Sequence, residues 1–249
     1  MELRSEKAAA GVVAALLIGP ALWGAATYPA RHDHTRKGCT GTLTAGDQGL
    51  SYEENAAARR KKRKHPHRWN WAYGDIQQLE ISPKRMRVLT YRDNKWKLGA
   101  DREFTFDALS GANFTSAYSM LKDRLDQRFV AAVDDATVKP LWELPVKHLA
   151  RISGSEGVLV FGRDRIVYRT DKKGEARTWR YSDIDNIGTS GPFSLTLTTF
   201  ERAKTHYGSR KDFNFQLKQR LEEARYNDLW RRINVPEQRA SGTAAGRQP

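Results

Sequence analysis

The sequence predicts a mainly β protein made of two tandem copies of one small module. Each copy is expected to be a bent antiparallel sheet, or partly open barrel, closed by a C-terminal capping helix. Three observations lead there: a motif that returns at matched spacing, short runs in which apolar residues alternate, and a helical stripe ending each copy.

The repeat organises the rest. Trp71-Ala72-Tyr73-Gly74-Asp75-Ile76 returns as Trp179-Arg180-Tyr181-Ser182-Asp183-Ile184, a shared W-x-Y-x-D-I. Upstream, Gly41-Thr42-Leu43 and Leu50-Ser51-Tyr52 are echoed by Gly157-Val158-Leu159 and Ile166-Val167-Tyr168. Downstream, Val88-Leu89-Thr90-Tyr91 matches Leu197-Thr198-Thr199-Phe200, and Phe104-Thr105-Phe106 matches Phe213-Asn214-Phe215. From the isoleucine of the motif to the first of those phenylalanines is 28 residues in one copy and 29 in the other. Matched order at near-equal spacing points to duplication rather than chance.

Each matched piece alternates, as Trp71/Tyr73 and Phe104/Phe106 do, with aromatic and β-branched residues at period two. Half-buried antiparallel strands have that pattern, and Gly, Asp, Asn and Ser clusters between the pieces mark turns. Each copy thus reads as six or seven strands. The closing stripes are Phe114, Tyr118, Leu121, Leu125 and Phe129 in the first copy, and Leu217, Leu221, Tyr226, Trp230 and Ile233 in the second. Steps of three and four residues suit an amphipathic helix laid on a sheet. The modules are placed at 38–130 and 153–236. The linker between them, 131–152, is expected to pack on a module because Leu141, Trp142 and Leu144 are too apolar for a free tether. The tail, 237–249, is read as disordered from its Gly, Ala, Ser, Arg and Gln content.

Residues 1–30 are read as a signal peptide or membrane anchor. Ala8 to Ala26 is uncharged and follows Arg4 and Lys7; as an apolar helix it would reach roughly 28 Å, close to the hydrocarbon thickness of a bilayer. Val12 to Trp23 suits the apolar region of a signal peptide, and Gly24-Ala25-Ala26 supplies small residues for cleavage. Arg31, Arg36 and Lys37 soon afterwards favour retention instead. A cleaved signal is preferred over a single-pass anchor, and both send the protein to the cell envelope.

Strands followed by one capping helix, with W-x-Y-x-D-I at the third strand, resemble the pleckstrin-homology-like superfold, in particular bacterial PH and GRAM-type domains. The resemblance covers about 40–130 and 150–235. It implies a binding module for phospholipid head groups, membrane surfaces or peptides, or a scaffold. No phosphoinositide-binding motif matches residue by residue, and a fold of this kind hosts many functions.

Two copies in one chain separate scaffold from function. The shared Trp, Tyr and Phe positions are expected in the core, and Asp75 and Asp183 are expected to cap the turn after their strand. The first copy alone carries Arg59-Arg60-Lys61-Lys62-Arg63-Lys64, with Arg68 close behind, seven of the charges behind a net +14. Consecutive cations repel and must stay solvated, so this loop is read as the site that meets an anionic lipid or envelope surface. A protein or peptide partner recruited at a sheet edge is the alternative. Nucleic acid is disfavoured because no base-reading motif accompanies the charge.

Nothing in the chain asks for an enzyme: G-x-S-x-G, H-E-x-x-H, phosphate-loop and dinucleotide motifs are all missing. No cofactor or metal is expected either. Cys39 is the single cysteine, and His32-x-His34 followed by Cys39 matches no usual zinc spacing. His65 and His67 fall in the charge-repelled loop. A flexible polar segment is the expected state of these residues.

Overall fold

A computed structural model describes residues 25–34, 38–56, 65–95, 97–150, 154–203 and 209–235. The chain is mainly β, and among the described residues its strands join into one open fifteen-stranded sheet. The N-terminal half supplies β1 (Ala26–Asp33), β2 (Cys39–Gly46), β3 (Gly49–Glu54), β4 (Arg68–Ala72), β5 (Ile76–Ile81), β6 (Arg85–Asp93) and β7 (Asp101–Ala108). A 3-10 turn, Phe114–Ala117, runs into the single helical turn α1 (Tyr118–Leu121), and β8 (Phe129–Ala131) follows. The C-terminal half contains β9 (Trp142–Leu149), β10 (Ser155–Phe161), β11 (Arg165–Arg169), β12 (Arg177–Arg180), β13 (Ile184–Gly188), β14 (Ser194–Arg202) and β15 (Arg210–Leu217). The helix α2 (Glu223–Asn234) closes it.

Spatial order repeats. The sheet runs β13-β14-β15-β9-β10-β11-β12 across one half and β5-β6-β7-β1-β2-β3-β4 across the other, with β8 between them. β8 pairs parallel to β5 and antiparallel to β12, so three residues weld the two strand sets. The repeat extends to irregularities: the ladder slips between Ile76 and Gln78 in one half and between Ile184 and Asn186 in the other.

Each half has its own core. Alternation puts Leu43, Leu50, Tyr52, Phe104 and Phe106 inside the first, and Leu159, Ile166, Tyr168, Phe213 and Phe215 inside the second. Trp71 meets Phe104 edge-on at 4.8 Å, and Trp179 meets Phe213 in the same way at 4.8 Å. Burying a side chain of this size contributes about 1.5–3 kcal/mol, so these shared aromatics act as packing groups. The shared aspartates close their turns: Asp75 accepts from the Ala72 backbone N–H at 3.2 Å and Asp183 from that of Arg180 at 2.8 Å.

Three expectations are corrected by these elements. β1 lies partly in the segment read as a signal or anchor, and it starts the first strand set twelve residues before the expected boundary at 38. Tyr28, Ala30 and His32 face the core from it. β9 occupies much of the expected linker and supplies Leu144 and Val146 to the second core. Trp142 stacks on Phe161 at 3.6 Å, while Leu141 stays exposed. Finally, the stripe from Phe114 to Phe129 is buried, yet it is not one helix. Asn113 caps the 3-10 turn by accepting from Thr115 N–H at 2.8 Å, α1 lasts four residues, and Phe129 belongs to β8. The expected leader over residues 1–24 and the expected tail over 237–249 lie outside the described residues. Among the described residues no helix is long and apolar enough to cross a membrane.

Candidate metal-ligand cluster

Four side chains read as a flexible polar segment converge on one end of the first core: His32, His34, Cys39 and His67. Their ligand atoms all lie within 4.8 Å of one another. His32 sits directly opposite Cys39 in the β1–β2 ladder. Side chains alternate along a strand, so His34, two residues on, leaves β1 on the same face as His32. His67 stands immediately before β4, and its backbone is held at both ends by Glu54. Glu54 N–H donates to the His67 carbonyl at 2.9 Å, and the buried Glu54 carboxylate accepts from His67 N–H at 2.8 Å.

The thiol is at the centre. Cys39 Sγ lies 3.4 Å from His67 Nδ1 and 3.9 Å from His32 Nδ1. Ring centroids are 5.2 Å apart for His32 and His34, 5.4 Å for His34 and His67, and 6.0 Å for His32 and His67. His32 and Cys39 are buried, whereas His34 and His67 are half-buried. The cluster therefore has an apolar floor and a side open to solvent. Trp69 forms a wall, 4.6 Å from the His32 ring and 4.8 Å from that of His67. Tyr52 lies beneath: its hydroxyl donates to the Cys39 carbonyl at 3.0 Å and is 3.5 Å from the thiol. Burial, reinforced by Cys39, pushes the Tyr52 phenol far above its usual range, so it stays a neutral donor.

The other half provides a comparison at matched positions. Strand register aligns His32 with His148 and Cys39 with Ser155, since those residues also face each other across their ladder. Tyr168 repeats Tyr52, donating to the Ser155 carbonyl at 2.8 Å. His148 packs against Tyr168, Phe213 and Phe215 as His32 packs against Tyr52, Phe104 and Phe106. By the same alignment His34 corresponds to Ala150 and His67 to Glu175, whose carboxylate lies 3.6 Å from His148 Nδ1. One histidine in an aromatic cage is thus common to both halves. The thiol and the other two imidazoles belong to the first alone.

Of the basic residues singled out in the sequence, Arg68 is described: it is exposed on β4 and pairs with Glu53. Arg59, Arg60, Lys61, Lys62, Arg63 and Lys64 lie outside the described residues. Elsewhere a broad groove of about 1050 Å³ runs between the two strand sets. Its charged groups engage one another: Arg87 bridges Glu80 and Glu103, and Glu201 is held by Arg177 and Lys211. Burial alone would raise the Glu201 carboxyl, but Arg177 and Lys211 hold it below the ordinary carboxylate range.

One cue missed in the sequence leads to part of the cluster. Tyr28-Pro29-Ala30-Arg31-His32 and Leu144-Pro145-Val146-Lys147-His148 are a further pair of repeat segments, now seen as β1 and β9. His67 has no local cue, being brought to Cys39 by the β2–β3–β4 hairpins.

No protein-family model matches the chain, and no curated protein matches it. Among solved structures the chain is similar to the C-terminal domain of an unknown protein from Leishmania infantum. That similarity has 12% identity and a TM-score of 0.30 and covers 48% of this chain and 94% of that one. A second similarity, to the Spt16D Pob3N heterodimer, has 10% identity and a TM-score of 0.28 and covers 78% of this chain and 97% of that one.

Proposed function

We propose that this chain is a non-catalytic, envelope-associated binding protein of two tandem pleckstrin-homology-like modules. Its first module meets an anionic membrane or envelope surface through Arg59–Lys64 with Arg68. The observation that carries this reading is a one-sided charge on a duplicated frame. The two halves share strand order, ladder slip and aromatic core, yet the connection before β4 holds six consecutive cations. Its counterpart, Thr170 to Ala176 before β12, is short and has only Lys172 and Lys173. A feature absent from one of two equivalent frames is not needed by the frame. Near an anionic bilayer each such cation contributes about 1 kcal/mol, less as salt rises.

The envelope assignment rests on the uncharged stretch Ala8 to Ala26 behind Arg4 and Lys7. β1 starts at Ala26, the last of the small residues Gly24-Ala25-Ala26, so cleavage after them keeps the inward-facing Tyr28, Ala30 and His32 in the mature chain. The charges that line the groove pair with one another within each strand set, which supports a binding rather than a catalytic role.

One observation favours a second reading, a scaffold that recruits peptides without lipid. The sheet is open, with β4 and β13 at its two edges, and unpaired edge groups accept an added strand. A single experiment separates the two: sedimentation of the full chain with phosphatidylglycerol-containing vesicles at low salt, with Arg59–Lys64 intact or changed to Gln. Binding that disappears in the variant, and in neutral phosphatidylcholine vesicles, is the expected result. Binding by the variant equal to that of the parent chain would sink the basic-loop reading.

A further inference from the structure

We propose that His32, His34, Cys39 and His67 form a structural site for one zinc-class divalent cation, with all four side chains as ligands. A tetrahedral zinc ion with bonds of about 2.3 Å to sulfur and 2.0–2.1 Å to nitrogen sets its ligand atoms roughly 3.3–3.6 Å apart. The 3.4 Å from Cys39 Sγ to His67 Nδ1 is already there, and the 3.9 Å to His32 Nδ1 is close. The widest separation, 4.8 Å, has to close by roughly 1.2–1.5 Å to reach that geometry, within reach of imidazole rotation.

The donor set suits that ion. One thiolate and three neutral imidazoles are the nitrogen and sulfur ligands that zinc takes in closed four-ligand sites. The donors come from three separate pieces of backbone: β1, β2 and the chain entering β4. An ion here ties the first strand to the root of the β3–β4 connection. The surroundings supply what such a site needs next to the ligands. Glu54 fixes the backbone of His67, the Tyr52 hydroxyl lies 3.5 Å from the sulfur, and Trp69 shields two of the rings. The half-buried His34 and His67 leave a way in from solvent.

The duplicated half argues against the plainer account, that these residues merely pack. Packing at this place needs one histidine, a small residue opposite it and a tyrosine beneath, and the second half keeps those as His148, Ser155 and Tyr168. It dispenses with the sulfur and with the counterparts of His34 and His67. Three extra donors converge with His32 on one point, and the matched half keeps its frame without them.

The test is titration of the reduced full-length chain with Co²⁺, a spectroscopic stand-in for zinc, followed by displacement with Zn²⁺. Because Cys39 is the single cysteine, any thiolate-to-cobalt charge-transfer band reports on this site. The expected result is one equivalent of Co²⁺ giving that band with the intense visible bands of tetrahedral cobalt, both lost on adding Zn²⁺. His34→Ala and His67→Ala are expected to weaken affinity by about tenfold or more. The half-buried positions of these two residues make both variants compatible with folding, which circular dichroism would verify. A folded parent chain that shows no charge-transfer band overturns the proposal. So does a band whose affinity is unchanged in both histidine variants. If a variant fails to fold, the parent chain's band and stoichiometry alone decide.

Discussion

Arg180 donates through Nη1 to the carbonyl of Lys122 at 2.6 Å, joining the turn that opens β13 to the end of α1 in the other half. The same guanidinium reaches the carbonyls of Leu125 at 3.1 Å and Asp126 at 2.7 Å, and Asp183 steadies it through an ion pair of 2.7 Å. Its counterpart in the first motif is Ala72, which can do none of this. The variable position of W-x-Y-x-D-I therefore helps to dock one half on the other. Arg165 adds a second tie, donating to the Tyr118 hydroxyl at 2.9 Å and to Asp135 at 2.9 Å.

Replacing Arg180 with alanine removes a donor from three carbonyls, of which that of Asp126 still accepts from Phe129 N–H, and leaves the buried Asp183 carboxylate without its cation. The expected loss is about 2–4 kcal/mol of unfolding free energy, read from the urea midpoint. A loss below about 0.5 kcal/mol would show that the docking bonds are replaced by water at no cost.

Strand pairing at matched places in the two halves depends on a side chain that is missing. A Cβ on Gly157 would stand 2.2 Å from the Arg169 carbonyl oxygen, and one on Gly41 would stand 2.1 Å from that of Glu53. The obstacle is backbone in both cases, so the strands must part. Gly157→Ala is expected to destabilise by about 3 kcal/mol or more. At Gly188, on the edge strand, nothing lies within 4 Å, and Gly188→Ala should stay within about 0.5 kcal/mol of the parent chain. Parallel urea denaturation of both variants checks the contrast.

His148 gives a pH dependence of known sign. Burial pushes its imidazole below the usual histidine value; Glu175 pulls the other way, while Lys211, Arg177 and Lys172 add to the lowering. In the unfolded chain the group titrates near 6.5. As pH falls through that value the unfolded state takes up the proton first, so stability declines until the lower, folded value is passed. His148→Phe removes the titration and keeps an aromatic ring among Tyr168, Phe213 and Phe215. The melting temperature of the parent chain, relative to the variant, is expected to fall between pH 7.5 and 5.5. A constant difference over that range would mean that His148 is not held neutral by the fold.

Local order was legible in the residues themselves. Alternation at Trp71/Tyr73, Phe104/Phe106 and their counterparts marks strands, because a pleated strand turns every second side chain to the same face. The matched motifs likewise disclose the duplication, since equivalent strands face equivalent burial. β1 and β9 escaped this reading for a definite reason. Pro29 and Pro145 sit in mid-strand, and proline donates nothing to a ladder, so it argues against a strand wherever the rest of the pattern is weak. In β1 the inward face is Tyr28, Ala30 and His32, small or polar enough to pass for a loop. Yet Pro29 and Pro145 fall at equivalent places, and their carbonyls still accept from Leu109 N–H at 3.0 Å and Lys218 N–H at 2.8 Å.

The sequence by itself determined a mainly β chain, its doubled motif, the aromatic faces of its strands and the aspartates that close its turns. Each of these depends on residues a few positions apart, where stereochemistry and burial act directly. Only the tertiary structure decided that Cys39 meets His67 across 28 positions, that β8 welds the two strand sets, and that Arg180 reaches Lys122. Those meetings follow from ladder register and from how one sheet continues into the next, quantities set by the sum of many distant contacts and carried by no short stretch of chain.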